Sequence, residues 1–410
     1  MLFQQIADPL PGTMRETVGP LAGASPSVVC FPFAGGIAGG SHVSAFQLIK
    51  SLDPSEFTPL VLLHSDCGQV AELLRSEGIA YSIAPVADHF GRARGVDRDS
   101  RPLRIARAIA GQWQLARFLR ERRVRIVHTN DGAMHVSWAL PAKLAGAKLL
   151  WHHRSDPGAF GVRRLAPWMA DHVVSVSRFA GSSTRKVPAS VIYSPFDTEL
   201  PKVDRVAARA QLLDEVGLAP DTRLLCFFGN FVPRKRPFRF VEVIAELRRQ
   251  APHLPVAGLM FGASFDGSLE PQLRQAAQSL GVDDRIHLMG YRYPPEPWMA
   301  GSDLHLVTAV DEPFGRSLIE AMLLGTPVVA VRSGGNVEAI DHGRTGLLVP
   351  PDSPSAMAQA VLELLNSPAA VSAIAAAARN DAQLRYGVAT HRDSIAAIYR
   401  TLLSEGDRHG

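Results

Sequence analysis

Cysteine is scarce in this chain of 410 residues, and the three present, Cys30, Cys67 and Cys226, are far apart. An odd, scattered set excludes a disulfide-built scaffold, shows no metal-ligand spacing and suits a reducing compartment. Lysine is scarce too. Of 43 basic residues only Lys50, Lys143, Lys148, Lys186, Lys202 and Lys235 are lysine, so nearly all the positive charge is arginine. There is little excess charge of either sign: the formal net charge of +4 is too small to imply a nucleic-acid partner. Long apolar runs are missing as well, and none reaches the roughly 18–20 residues that a membrane span needs. The opening residues, MLFQQIADPLPGTMRET, lack the basic, then apolar, then small-residue order of a signal peptide. These absences point to the cytoplasm, with a peripheral place on the inner face of a membrane as the other option. What is present is an ordinary globular composition, 46% hydrophobic and 20% charged. It excludes disorder over most of the chain and, at roughly 100–200 residues per domain, predicts two or three domains with an ample core.

Short apolar runs alternate with amphipathic stretches, the pattern of parallel-sheet α/β domains. In the first half the expected strands are 28–31, 60–63, 81–83, 125–128, 149–151, 173–176 and 191–193. One amphipathic stretch, Leu103 to Arg123, is expected to put Ile105, Ile109, Trp113, Ala116 and Leu119 on one face. The pattern restarts at 224–228 and continues through 256–260, 286–288, 304–307, 328–330 and 347–349. A helical pair is expected from about Ser355 to Ser404, and the turn Ser194-Pro195-Phe196-Asp197 followed by Pro201 marks the seam between halves. The fold class predicted is α/β, with two doubly wound parallel-sheet domains facing a cleft. Ligands of such sheets sit at the carboxyl ends of strands and against helix N-termini, so the loops after strands are where chemistry is expected.

The strongest signal follows the strand at 304–307: Glu312, Pro313, Phe314, Gly315, Arg316, Ser317, Leu318, Ile319, Glu320. Gly315 and Ser317 suit a loop that opens a helix, whose exposed backbone N–H groups favour phosphate oxygens. A carboxylate on either side of that anion site accepts sugar hydroxyls, so the arrangement suits a nucleotide sugar. The plainer reading is a helix cap of Ser317 with Glu320. After the first strand of this half come Asn230 and the cations Arg234, Lys235 and Arg236, able to clamp a diphosphate or to form a solvated basic loop. Gly334 and Gly335 allow close approach to a ligand or a tight turn.

Together these segments resemble the retaining, family 4 type (group 1) nucleotide-sugar glycosyltransferases. Their Glu, seven residues, Glu motif reads here from Glu312 to Glu320, continued by 325–330, Gly334-Gly335, Glu338 and 343–349. The resemblance implies a GT-B fold: an acceptor-binding Rossmann-like domain over 1–198, a donor-binding one over 199–385, and a helix in 386–410 packing back on the first. It implies that Glu312 holds a donor-sugar hydroxyl with the Phe314 and Gly315 N–H groups nearby, that Glu320 holds the ribose, and that Lys235 binds the diphosphate. The usual companion arginine is Asn230 here, with Arg234 or Arg236 as a possible substitute. Tyr291 sits where base contacts often lie. Gly39 and Gly40, in a glycine loop after the opening strand, match the family loop beneath the diphosphate. His152 or His153, at a strand end, matches a histidine facing the reacting sugar.

The activity implied is transfer from a nucleoside-diphosphate sugar to a hydroxyl acceptor with retention, in polysaccharide or glycolipid synthesis. No cofactor and no metal are expected; Asp97-Arg98-Asp99 has the spelling of a metal motif but lies among arginines. The alternatives are a non-catalytic partner subunit, a sugar-nucleotide epimerase or a phosphorylase. The basic stretch from Arg92 to Arg125 is read first as a solvated helix face and second as a surface for anionic lipid headgroups.

Overall fold

A computed structural model describes residues 25–36, 38–90, 101–199, 203–264 and 266–406. The first half runs β1 (Ser27–Phe33), α1 (Gly40–Ser51), β2 (Phe57–Leu63), α2 (Gln69–Ser76), β3 (Ser82–Ile83), α3 (Arg101–Glu121), β4 (Val124–Thr129), α4 (Gly132–Ala145), β5 (Lys148–His153), α5 (Ala166–Met169), β6 (His172–Ser175), α6 (Arg178–Gly181) and β7 (Ala189–Val191). The second runs α7 (Arg205–Val216), β8 (Arg223–Phe228), α8 (Pro237–Gln250), β9 (Val256–Phe261), α9 (Leu269–Ser279), β10 (Ile286–Gly290), α10 (Glu296–Ala300), β11 (Leu304–Val307), α11 (Arg316–Leu324), β12 (Val328–Val331), α12 (Asn336–Ala339), β13 (Leu347–Val349), α13 (Pro354–Leu365), α14 (Pro368–Tyr386) and α15 (Val388–Gly406). Asp97 and Asp99, and most of the arginines before Arg101, lie outside the described residues.

The strands form two parallel sheets, ordered β3-β2-β1-β4-β5-β6-β7 and β10-β9-β8-β11-β12-β13. Helices cover both faces of such sheets, which is why β9 and β12 are buried along their whole length and read as unbroken apolar runs. In each sheet the order reverses beside the first strand: β1 lies between β2 and β4, and β8 between β9 and β11. This is the two-domain GT-B architecture.

Three elements differ from expectation. Of the stretch on α3, Ala116 and Leu119 are buried, but Ile109 and Trp113 are 58% and 67% exposed. The buried face is turned by about one residue, to Gln112, Leu115, Ala116 and Leu119, because Gly111 meets Val86: a Cβ there would lie 2.6 Å from Val86 Cγ1. Second, β7 ends at Val191 rather than Tyr193, since Tyr193 turns away to stack on Phe314, 5.7 Å between ring centres. Third, three helices close the chain instead of two; the breaks fall just before Pro368 and at Gly387, where proline lacks an N–H and Gly387 turns extended.

The chain crosses between domains twice, side by side. Phe196 on the outward link pairs with Gly387 on the return, and Phe196 N donates to Tyr386 O at 2.8 Å. Beyond that point α15 lies on the N-terminal domain, its Ile395, Tyr399 and Leu402 buried in that domain's core with Phe57 and Leu63.

Candidate active site

The order reversals place a crevice at the carboxyl ends of β1 and β4 in one domain and of β8 and β11 in the other. In the C-terminal domain three loops are knitted together there. Thr308 Oγ1 donates to the carbonyls of Lys235 (2.9 Å) and Arg236 (3.2 Å), and Val310 N donates to Arg234 O at 3.0 Å. Gly335 N donates to Glu312 O at 2.7 Å. Gly334 is left-handed (φ 55°), and a Cβ on it would lie 2.6 Å from both Glu312 N and Glu312 O. The glycine pair therefore serves close approach of one loop to another: it seats the Glu312 backbone.

Glu312 is only 7% exposed. Its carboxylate pairs with Arg234, and with Lys235 Nζ at 2.8 Å. Burial alone would raise its pKa, but the Lys235 and Arg234 charges outweigh that and hold it down at about 2. Two cations against one carboxylate leave this corner net positive. Arg236 does not join it; its guanidinium turns to Pro351 O (2.9 Å) and Asp352 (2.5 Å). Asn230 is exposed on the same loop.

Gly315, left-handed at φ 83°, starts α11, and Gly325 ends it at φ 72°. Beneath its first turn His305 is buried, and desolvation drives its pKa down to about 4. Neutral, it can donate from Nδ1 to Cys226 O (3.2 Å) and accept from Ser317 Oγ at Nε2 (3.2 Å). Glu320, one turn on, has its pKa raised chiefly by burial, with Arg316 Nη2 3.4 Å from its carboxylate opposing the rise. Phe314 is buried against Tyr193, Phe196 and Tyr386, so it anchors the loop. Tyr291 is 72% exposed.

Arg316 crosses the cleft. It donates to Ser44 Oγ (2.9 Å) and Pro195 O (3.2 Å) of the N-terminal side and lies 4.2 Å over the Phe196 ring. A Cβ on Gly40 would come within 2.4 Å of Arg316 Cδ, whereas one on Gly39 would meet nothing within 4 Å. Gly40 thus makes room for an arginine, and Gly39 borders open space.

His152 and His153 are both enclosed, 0% and 1% exposed. His152 stacks between His128 and His391, and its Nδ1 lies 3.0 Å from His128 Nε2. His153 Nε2 meets Asp156 O at 3.1 Å. Burial lowers the pKa of both. The next residue, Arg154, reaches past the strand end to Asn130 and Ser194.

Glu338 is a residue whose role was not legible. Its two oxygens accept from Arg178 N and Phe179 N (2.8 Å each), across the domain boundary at the start of α6. Around it lies a cavity of about 640 Å³ lined by Arg178, Tyr193, Arg332, Ser333, Glu338 and Arg385, among others. Ser333 joins this cavity to the Glu312 loop, accepting from Asp311 N at 2.9 Å. Nothing in the local sequence announces a contact between residues 160 apart.

Two facing parallel-sheet domains with a cationic corner at the order reversal form a place where an anionic ligand can sit between lobes. The sequence model of Glycosyltransferase Family 4 matches residues 38–200 and that of Glycosyl transferases group 1 matches residues 222–367. The chain belongs to this family of glycosyltransferases. Among curated relatives, the D-inositol 3-phosphate glycosyltransferase of Thermobispora bispora is 31% identical over 214 residues, 50% of this chain and 49% of the relative. D-inositol 3-phosphate glycosyltransferase 2 of Catenulispora acidiphila is 36% identical over 174 residues, 40% and 39% of the two chains. The matches thus span about half the length of these relatives, or less. Among solved structures, Anabaena Alr3699/HepE in complex with UDP superposes with a TM-score of 0.77 at 23% identity, covering 92% of this chain and 100% of that one. Sucrose-phosphate synthase of Thermosynechococcus elongatus gives 0.70 at 18%, covering 92% and 100%. At these identities the likeness is one of fold.

Proposed function

We propose that the protein transfers a sugar from a nucleoside-diphosphate sugar to a hydroxyl acceptor, with retained anomeric configuration. The observation that carries this reading is the ionised, buried Glu312 held against Arg234 and Lys235 beside the start of α11. An anionic carboxylate is an acceptor for sugar hydroxyls, and cations next to it match a diphosphate. Lys235, Arg234 and the free N–H groups of α11 would stabilise charge developing on the leaving diphosphate. Phe314, locked among aromatic rings, keeps that first turn in register. The bond from the anomeric carbon to phosphate oxygen breaks and the acceptor oxygen joins the same face. The acceptor's proton passes to the departing phosphate oxygen, so no protein base is required.

Metal independence is part of the proposal. The cationic corner offers the neutralisation that a metal would otherwise supply, and among the described residues no three His, Cys, Asp or Glu side chains converge as ligands. The setting proposed is cell-surface polysaccharide or glycolipid synthesis, at the cytoplasmic face. No single helix among the described residues is long and apolar enough to cross a membrane. Peripheral docking on anionic lipid would use α3, where Ile109, Trp113 and Arg117 are exposed one turn apart.

The test is a thermal-shift panel of UDP- and GDP-sugars followed by a transfer assay on the nucleotide sugar that binds. A true donor at a hundred times its dissociation constant adds about 2.7 kcal/mol. Turnover that persists in EDTA is expected. Failure of every nucleotide sugar to bind or be consumed would remove the reading.

A further inference from the structure

Arg154 is a charged group in the cleft that the proposed reaction leaves without a task. Its Nε donates to Asn130 Oδ1 (3.3 Å), its Nη1 to Ser194 Oγ (3.2 Å) and its Nη2 to His152 Nδ1 (3.2 Å). All three partners are neutral. Among the described residues no carboxylate pairs with it. Asn130, His152 and Ser194 are buried, 2%, 0% and 5% exposed, while Arg154 itself is half-buried.

Among the described residues the carboxylates flanking this site in the chain are turned to backbone N–H groups, Asp131 to Met134 N and Asp156 to Gly158 N, and neither pairs with Arg154. His128 Nε2 lies 3.0 Å from His152 Nδ1, and Tyr399 Oη lies 2.5 Å from His128 Nδ1. Burial, and after it the charge of Arg154, lowers the pKa of His42 to about 4 and of His391 to about 3, and pushes His128 and His152 well down. These rings are neutral at pH 7, so they neither repel an anion nor replace one. The other ion at this corner has the same sign: Arg316 reaches Pro195, the neighbour of Ser194, from the opposite domain. Of the two guanidiniums only Arg316 has a carboxylate beside it, Glu320. Guanidinium does not release its proton under such pressure, and an uncompensated charge out of bulk water is costly.

We infer that Arg154, backed by Asn130, Ser194 and His152, is an anion site that a phosphoryl group completes when a ligand enters the cleft. A phosphoryl group fits better than a carboxylate, since it carries up to two charges and presents several oxygens to two planar forks. The inference rests on the transferase reading for where that group comes from: the donor diphosphate, or a phosphate carried by the acceptor.

The test uses the full chain in low-salt, phosphate-free buffer, as wild type, Arg154→Gln and Arg154→Lys. Thermal unfolding and calorimetric titration are followed with inorganic phosphate, UDP and GDP as probes. Without anion, Arg154→Gln is expected to melt no lower than wild type. Phosphate raises the melting temperature of wild type and Arg154→Lys but not of Arg154→Gln, whose affinity falls about tenfold to a hundredfold. If nucleoside diphosphates weaken by the same factor, the donor supplies the group. If their binding is unchanged and phosphate still binds nucleotide-saturated wild type, the acceptor supplies it. Equal phosphate protection in wild type and Arg154→Gln overturns the site. So does an Arg154→Gln protein that melts several degrees lower with and without phosphate, which would make Arg154 a strut for the loops of Asn130 and Ser194. Phosphate protection through Arg154 in a wild type that binds neither UDP nor GDP keeps the site and removes the transferase reading instead.

Discussion

The two walls of the cleft handle charge in opposite ways. On the C-terminal wall, Arg234 and Lys235 are both paired with the Glu312 carboxylate, and three loops hold them by backbone hydrogen bonds. On the N-terminal wall Arg154 has only neutral partners, among histidines that burial keeps uncharged. The first wall is assembled before any ligand arrives; the second is one that a ligand completes.

Removing the carboxylate of the assembled wall should have the largest effect. Glu312→Gln is expected to lower transfer about a hundredfold or more, read as kcat/KM with the preferred nucleotide sugar. Because the pKa of Glu312 is about 2 in the fold against an ordinary 4.5, its ion pairs stabilise the protein above that ordinary value. The gain is lost as pH falls through about 2. The stability gap between wild type and Glu312→Gln should therefore be about 3 kcal/mol at neutral pH and close between pH 4.5 and 2. A gap independent of pH would show that the pairs contribute nothing.

The two walls should also differ in their tolerance of a methyl group. Gly334→Ala drives a Cβ into the Glu312 backbone at a left-handed residue, and a loss of about 2–4 kcal/mol together with most activity is expected. Gly40→Ala meets only the flexible Arg316 side chain and should change stability by less than about 1 kcal/mol. Denaturant unfolding of the two variants tests the contrast; equal costs would remove it. Between these two lies Glu338→Ala, which uncaps α6 across the boundary. A loss of about 1 kcal/mol is expected, with faster hydrogen exchange at the Arg178 and Phe179 amides. Unchanged exchange would mean that the contact does not hold the domains. The least effect belongs to Trp113→Ala, expected to leave turnover intact and to reduce co-sedimentation with anionic vesicles. Wild-type indifference to such vesicles would dismiss α3 as a docking surface.

How legible these walls were follows from how local they are. The strands and the Glu312–Glu320 segment could be read because apolar periodicity and glycine placement act within a few residues. The roles of Gly334 and Gly40 could not, since each faces a segment far away in the chain. The face of α3 was misjudged for a similar reason: spacing marks an apolar stripe, but a small residue opposite a close neighbour decides which stripe turns inward. The strand-end position of His152 and His153 was legible, but not that both rings are enclosed, because that position does not say whether a ring points across the sheet or out of it.

Chain order was enough to mark out two parallel α/β domains, the turn between them and, as separate segments, the Arg234–Arg236 loop and the Glu312–Glu320 loop, each encoded in runs and turns shorter than a helix; that Glu312 meets Arg234, 78 residues away, was decided by packing. Three-dimensional packing alone established that Arg316 reaches Ser44 across 272 residues, that Glu338 caps α6 across 160, and that Tyr399 touches His128 across 271. It also left Arg154 without an acid among the described residues. Such contacts depend on how two separately folded sheets and a returning helix meet, and no local pattern of residues carries that geometry.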